Sequence, residues 1–199
     1  YLYNLDEGIY TASTDEFNVL CKTFDNRIKP NDWKQIKMMV RTMTKIRKPL
    51  ESANLVPVQK GILDLKNKQL RPFDPKYIIT SKIATAYNPP KFIPKDREGN
   101  TFDDWLSSIA CGDSELITLF WQIILEAINP NYTRNKFAIL YGDGNNGKGT
   151  FQRLLINLIG ESNVSALKPA QFSDKFNLET LVGKVCNIGD EAPNDYLKN

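Results

Sequence analysis

Nine consecutive residues, Gly142-Asp143-Gly144-Asn145-Asn146-Gly147-Lys148-Gly149-Thr150, place four glycines around one lysine. Glycines let a backbone curl until successive amide hydrogens converge on one point, which suits an anion. Residues 151–159 follow with a helical pattern that stops at Gly160, so the positive N-terminal end of a helix would face the same point. Before the loop, residues 137–141 form a continuous apolar run, the pattern of a buried parallel strand. Strand, glycine-rich loop and helix in that order are the setting of a phosphate-binding loop. A glycine-asparagine turn that merely contains a lysine is the competing reading, and the three features together argue against it. Lys148 would then add a full positive charge near the terminal phosphates of ATP. The usual pattern sets Ser or Thr directly after the lysine to hold magnesium, whereas here Gly149 stands there and Thr150 comes one place later. Thr150 is the expected metal contact if the loop shifts; otherwise a water replaces the hydroxyl.

A second cluster follows 42 positions after Lys148, where Lys184-Val185-Cys186-Asn187-Ile188-Gly189 leads into Asp190-Glu191. That separation fits one helix, a connection and a return strand. Two carboxylates at the end of such a strand would divide the labour, Asp190 holding magnesium through water and Glu191 polarising the attacking water. Alone, an acidic pair after a short strand reads better as a solvated turn; beside the loop it does not. The expected set is therefore Lys148 and Glu191 as catalytic residues, the nine loop residues for ATP, and Asp190 with Thr150 for Mg2+.

The run from Gly142 through Thr150 to Phe151, then Asp174-Lys175-Phe176, then Leu181-Val182-Gly183-Lys184 leading into Asn187-Ile188-Gly189-Asp190-Glu191, resembles the phage and plasmid primase-helicase family within the superfamily 3 helicases. Upstream, Val56-Pro57-Val58-Gln59-Lys60-Gly61-Ile62-Leu63-Asp64-Leu65 resembles the poxvirus-type N-terminal-like domain that precedes the motor, while residues 1–55 match loosely. The resemblance implies a ring, usually hexameric, that hydrolyses ATP at subunit interfaces and translocates on single-stranded DNA. It also implies a primase domain or a primase or polymerase partner, and a bacterial host cytoplasm as the place of action. The family's polar sensor and arginine finger would fall beyond Asn199, so this chain by itself is expected to hydrolyse ATP poorly.

The fold expected on these grounds is mixed α/β. A small α+β N-terminal domain (1–98) leads to a short helical collar (99–136) and then to the first half of a P-loop, AAA+-like parallel-sheet ATPase domain (137–199). The boundary falls in residues 88–100, which hold Pro89, Pro90, Pro94 and Gly99. Before it, residues 1–10 read as a strand pair turning at Asp6-Glu7-Gly8, with a helix from Thr14. Residues 56–58, 61–65 and 77–80 read as short strands. After it, Thr101 and Asp104 form a capping box for a helix through Ile109, and Ser114 begins a more apolar helix that stops before Pro130. In that second helix Leu116, Phe120, Ile123, Ile124 and Ile128 are expected in the core, with subunit packing as the alternative.

Charge gathers in one place. Residues 22–48 hold nine basic side chains against two acids. Asn31 or Asp32 is expected to cap a helix to about Lys48, closed by Pro49, with Trp33, Ile36, Val40 and Met43 on one face. Lys34, Lys37, Arg41, Lys45 and Lys48 would form a separate stripe on it. A solvated face is the better-founded reading of such a stripe; contact with the phosphate backbone of DNA is the alternative.

Composition excludes several classes. The 199 residues include no histidine and three widely spaced cysteines, Cys21, Cys111 and Cys186, which argues for a reducing compartment and against zinc or haem attachment. The apolar stretch 116–125 falls short of the roughly 20 residues of a membrane span, and no leader pattern opens the chain, so no membrane association is expected. A chain that starts at Tyr1 is expected to be a fragment. Two other functions share the loop: a P-loop small-molecule kinase, which would need an arginine-bearing lid not visible between Gly160 and Lys184, and a non-catalytic module in which nucleotide drives oligomerisation or recruitment.

Overall fold

The computed structural model describes residues 1–44, 54–89, 91–129 and 136–189. It is a mixed α+β structure of small sheets and helices, divided into two compact units, Tyr1–Glu51 with Phe73–Thr80, and Ser52–Pro72 with Ser81–Asn199.

In the first unit, β1 (Leu2–Asn4) and β2 (Ile9–Thr11) form the expected antiparallel hairpin, with Tyr3 opposite Tyr10. The Asn4 side chain accepts the N–H groups of Asp6 and Glu7, both at 3.0 Å, which closes the turn. Ser13 accepts the Glu16 amide at 3.1 Å and starts α1 (Thr14–Phe24), which buries Phe17 and Cys21. The Glu16 carboxylate then accepts from the Asn4 amide and the Thr11 hydroxyl, fastening helix to hairpin.

The second helix, α2 (Pro30–Met43), starts earlier than Asn31 or Asp32 would set it. Pro30 has no N–H to satisfy and a φ already helical, so it takes the first position. Asp32 therefore sits in the first turn and accepts the Lys29 amide at 2.9 Å. The expected apolar face is only partly covered: Trp33 and Ile36 are half-buried, and Val40 and Met43 are exposed. The expected continuation to Lys48 and Pro49 lies outside the described residues. Residues 77–80 are not a strand, because the Ile79 amide bonds back to Tyr77 O at 3.1 Å and only Ile79 O, accepting from Tyr10, meets β2.

The second unit opens with an antiparallel meander of β3 (Leu55–Val58), β4 (Gly61–Asp64) and β5 (Gln69–Arg71). All of β4 is buried, including Asp64, whose carboxylate accepts from the Arg71 guanidinium. Residues 91–100 carry no helix or strand. The helix α3 (Phe102–Ile109) has the expected capping box: Thr101 accepts the Asp104 amide and Asp104 accepts the Thr101 amide. The Thr101 amide and hydroxyl both donate to the Asp104 carboxylate and hold it below the usual carboxylate range. Asp113 caps α4 (Ser114–Ile128), of which Ile124 is buried, Phe120, Ile123 and Ile128 are partly buried, and Leu116 is exposed. No single helix among the described residues is long and apolar enough to cross a membrane.

These elements surround α5 (Lys148–Ile159). Phe151, Leu155 and Ile159, one turn apart, bury one stripe against Val56 and Val58 of β3, Leu106 of α3 and Ile124 of α4. Phe120 and Phe151 pack ring to ring at 5.0 Å. Beyond α5, β6 (Val164–Ser165) and β7 (Cys186–Asn187) pair in parallel, and the chain between them runs through 3-10 turns and the short helix α6 (Lys175–Leu178). The expected strand at 185–188 is thus present, though short.

The run 137–141 departs from expectation. It is not a buried strand: Phe137, Ile139 and Tyr141 are 86%, 69% and 98% exposed, and only Leu140 reaches the core. A parallel strand exists only beside a neighbour that takes up its hydrogen bonds, and among the described residues none lies beside this run. The parallel sheet described is the two-stranded one.

At its other end α5 is tightly closed. Ile159 O accepts from the Ala84 amide at 2.8 Å, Leu158 O from the Thr85 hydroxyl at 2.7 Å, and Asn163 bridges Lys82 O and Ile159 O. These donors satisfy carbonyls that a helix end otherwise leaves without partners. Gly160 makes the approach possible, with φ 95° and an added Cβ only 2.6 Å from Ala84 Cβ. Gly160→Ala is expected to cost about 1–3 kcal/mol through strain and displacement of Ala84, read as a lower urea midpoint at unchanged slope; an unchanged midpoint contradicts this account of the helix end.

Candidate phosphate-binding loop

The helix α5 begins three residues before the apolar pattern suggests, at Lys148, because Gly147 turns the chain into it. Gly147 is left-handed (φ 87°, ψ −4°) and its carbonyl accepts the Phe151 amide at 2.9 Å. No side chain caps the helix. The amides of its first turn have no partner within the helix and carry its positive partial charge. A side chain at Gly147 would stand 3.1 Å from Ile109 Cγ2, so α3 presses directly on the loop. Two residues earlier Asn145 is also left-handed, φ 57°, a conformation asparagine tolerates better than most.

Lys148 turns back into the loop. Its Nζ donates to Gly142 O at 2.7 Å, Asp143 O at 2.6 Å and Asn146 Oδ1 at 2.8 Å. The structure therefore brings the lysine, the loop backbone and the start of α5 together. Asp143, Gly144, Asn145 and Thr150 are exposed, Thr150 in the first turn of the helix. An added Cβ at Gly149 would meet nothing within 4 Å. Packing therefore does not explain why glycine follows the lysine.

Asp190 and Glu191 lie outside the described residues; the strand leading to them does not. The Val185 amide donates to Asn163 O and the Ile188 amide to Ser165 O, both at 2.8 Å. Asn187 does more than sequence reasoning assigned to it. Its Oδ1 accepts from the Ser165 hydroxyl at 2.9 Å and the Leu167 amide at 2.8 Å, while Nδ2 donates to Leu167 O at 3.0 Å. Its only sequence signal is a polar residue within an otherwise apolar strand. Gly189 then passes so close to Leu167 that an added Cβ would lie 2.9 Å from its carbonyl oxygen. Burial pushes the Cys186 thiol pKa up, which fits a packing role. In parallel sheets ligands collect beyond the carboxyl ends of strands, and in the sequence Asp190 comes three residues after β7. Among the described residues no group of three or more His, Cys, Asp or Glu could hold a metal.

In the other unit, Lys34, Lys37 and Arg41 are exposed along α2, and Lys22 Nζ stands 5.7 Å over the Trp33 ring. Lys45 and Lys48 lie outside the described residues.

Residues 11–111 match the family described as "D5 N terminal like", and residues 140–199, which hold the loop and the acidic pair, match a family of unknown function, DUF5906. The first match supports the likeness to phage and plasmid primase-helicases and reaches back to residue 11, well before the Val56 where the sequence resemblance becomes specific. No curated protein matches the chain.

Asn187→Ala is expected to destabilise the chain by about 1–3 kcal/mol, because it leaves the buried Leu167 amide and carbonyl without partners. Urea denaturation reads this directly, and a loss below about 0.5 kcal/mol would place water where the side chain now bonds.

Proposed function

The chain belongs to the D5 N-terminal-like family, and from that premise we propose that it is the ATP-binding segment of a DNA-replication helicase of the phage and plasmid primase-helicase type. One observation carries the reading: a glycine-rich loop leads into an uncapped helix and holds Lys148 at its centre. The start of a helix without a side-chain cap and a lysine ammonium stand together there, a pairing that suits a polyphosphate.

In this reading residues 142–150 hold the ATP phosphates and Lys148 neutralises charge on the terminal ones. Mg2+ prefers oxygen ligands and keeps several waters. Thr150, exposed in the first turn of α5, and Asp190 are the oxygen donors assigned to it. Glu191 polarises the attacking water. Six copies forming a ring would couple hydrolysis to movement along single-stranded DNA in the bacterial cytoplasm, with a primase domain or a primase or polymerase partner supplying primers.

Magnesium-ATP is expected to raise the melting temperature of the purified chain in a concentration-dependent way, by about 2.7 kcal/mol of added stability at a hundredfold excess over Kd. Lys148→Ala should abolish most of that response. Equal responses in both proteins would remove the loop from the binding site. Gly149→Ser, which the open space at that position accommodates, should make nucleotide binding more dependent on magnesium.

Lys34, Lys37 and Arg41 are exposed along α2, which leaves the stripe open to the DNA backbone as well as to solvent. Reversing charge at Lys37 and Arg41 together is expected to weaken single-stranded DNA binding and to lower the slope of log K against log salt by about 0.7 per lost contact. An unchanged slope assigns the stripe to solvent.

A further inference from the structure

An ammonium group has three N–H donors and no acceptor. Lys148 Nζ has three acceptors around it, Gly142 O, Asp143 O and Asn146 Oδ1, at 2.6–2.8 Å. Its hydrogen-bonding capacity is therefore fully committed inside the loop, and a phosphate oxygen can reach it only if one of the three lets go.

The three are not equivalent. Two are backbone carbonyls at the entrance of the loop, and moving either means moving the chain. The third is a side-chain amide on an exposed residue, which releases the lysine by rotating about its own bonds. Its seat is also built into the backbone. Gly142, at φ 151°, leaves open the space over its Cα, and an added Cβ there would lie 2.4 Å from Asn146 Nδ2 and 3.8 Å from Lys148 Nζ. The glycine thus makes room for the amide that holds the lysine.

Resting on the nucleotide reading of this loop, we infer that Asn146 is a positioning residue: it is the exchangeable third acceptor of Lys148, and it competes with the nucleotide's terminal phosphate for one lysine N–H. The two carbonyls keep the ammonium aimed into the loop, and Asn146 occupies the donor that phosphate takes over. Among the described residues Lys148 is the one hydrogen-bond partner of the Asn146 side chain, so the effect of Asn146 on binding must disappear when the lysine is removed.

Calorimetric titration of the purified chain with magnesium-ATP tests this as a double-mutant cycle. Asn146→Ala removes the competitor and is expected to tighten ATP binding about threefold to tenfold, equivalent to about 0.7–1.4 kcal/mol. Asn146→Asp replaces it with a charged acceptor that holds the lysine harder, and is expected to weaken ATP binding tenfold or more, the loss shrinking as salt screens the pair. In a Lys148→Ala background Asn146→Ala should leave affinity unchanged. AMP, which lacks the terminal phosphates, should respond to neither Asn146 substitution.

Weaker or unchanged ATP binding by Asn146→Ala overturns the inference, as does the same change in both lysine backgrounds. A loop merely distorted by the substitution gives that result, since its damage does not depend on the lysine. If the unsubstituted chain shows no heat of binding with ATP, ADP or AMP, the nucleotide reading itself fails and the inference falls with it; binding without the predicted coupling overturns the role of Asn146 alone.

Discussion

The loop has a fixed position because α5 buries one stripe. Phe151, Leu155 and Ile159 enter a core contributed by β3, α3 and α4, and burying side chains of that size contributes about 1.5–3 kcal/mol each. The last three residues of the loop, Lys148 to Thr150, are the first three of this helix, so the loop cannot drift without opening the core. The same helix is anchored at its far end, where backbone and side-chain donors of residues 84, 85 and 163 close on its terminal carbonyls. One twelve-residue helix thus has a satisfied C-terminus and an N-terminus whose amides remain directed at the loop.

Left-handed backbone costs an L-residue with a side chain of order 1–3 kcal/mol in the general case. Around α5, glycine meets that cost at Gly142, Gly147 and Gly160, where φ is positive and a Cβ would also press on a neighbour. Gly149 is different, with no positive φ and open space around it. Two of the four loop glycines are therefore required by the shape of the loop, and Gly149 is required by nothing in its packing.

What could be read from the sequence follows how local each determinant is. The hairpin at Asp6-Glu7-Gly8 and the Thr101–Asp104 box depend on neighbours within four residues, and both stand where the residues place them, as does the end of α5 at Gly160, whose stop signal is the glycine itself. Two helix starts moved for equally local reasons that outweighed the apolar pattern: Pro30 drew α2 forward, and Gly147 let α5 begin at Lys148. Residues 137–141 were misread because an apolar run fixes a preference for burial and says nothing about which strand will lie alongside. The role of Asn187 was equally invisible, since its partners Ser165 and Leu167 are about twenty residues away and gain meaning only once β6 and β7 pair.

Those pairings also explain how the acidic end of the chain is delivered. β6 follows α5 after one short turn, so its position is inherited from the helix. β7 is fixed to β6 by backbone bonds on both sides of the pair and by the Asn187 amide, which bonds both polar groups of Leu167. Gly189 runs against that same residue. The order of dependence is therefore core stripe, α5, β6, β7, Gly189, carried in turn by buried side chains, one short turn of chain, hydrogen bonds and a close backbone approach. Because the glycine-rich loop and β6 adjoin the same helix, a substitution in this series is expected to alter the loop and β7 together. The basic stripe on α2 belongs to the other compact unit.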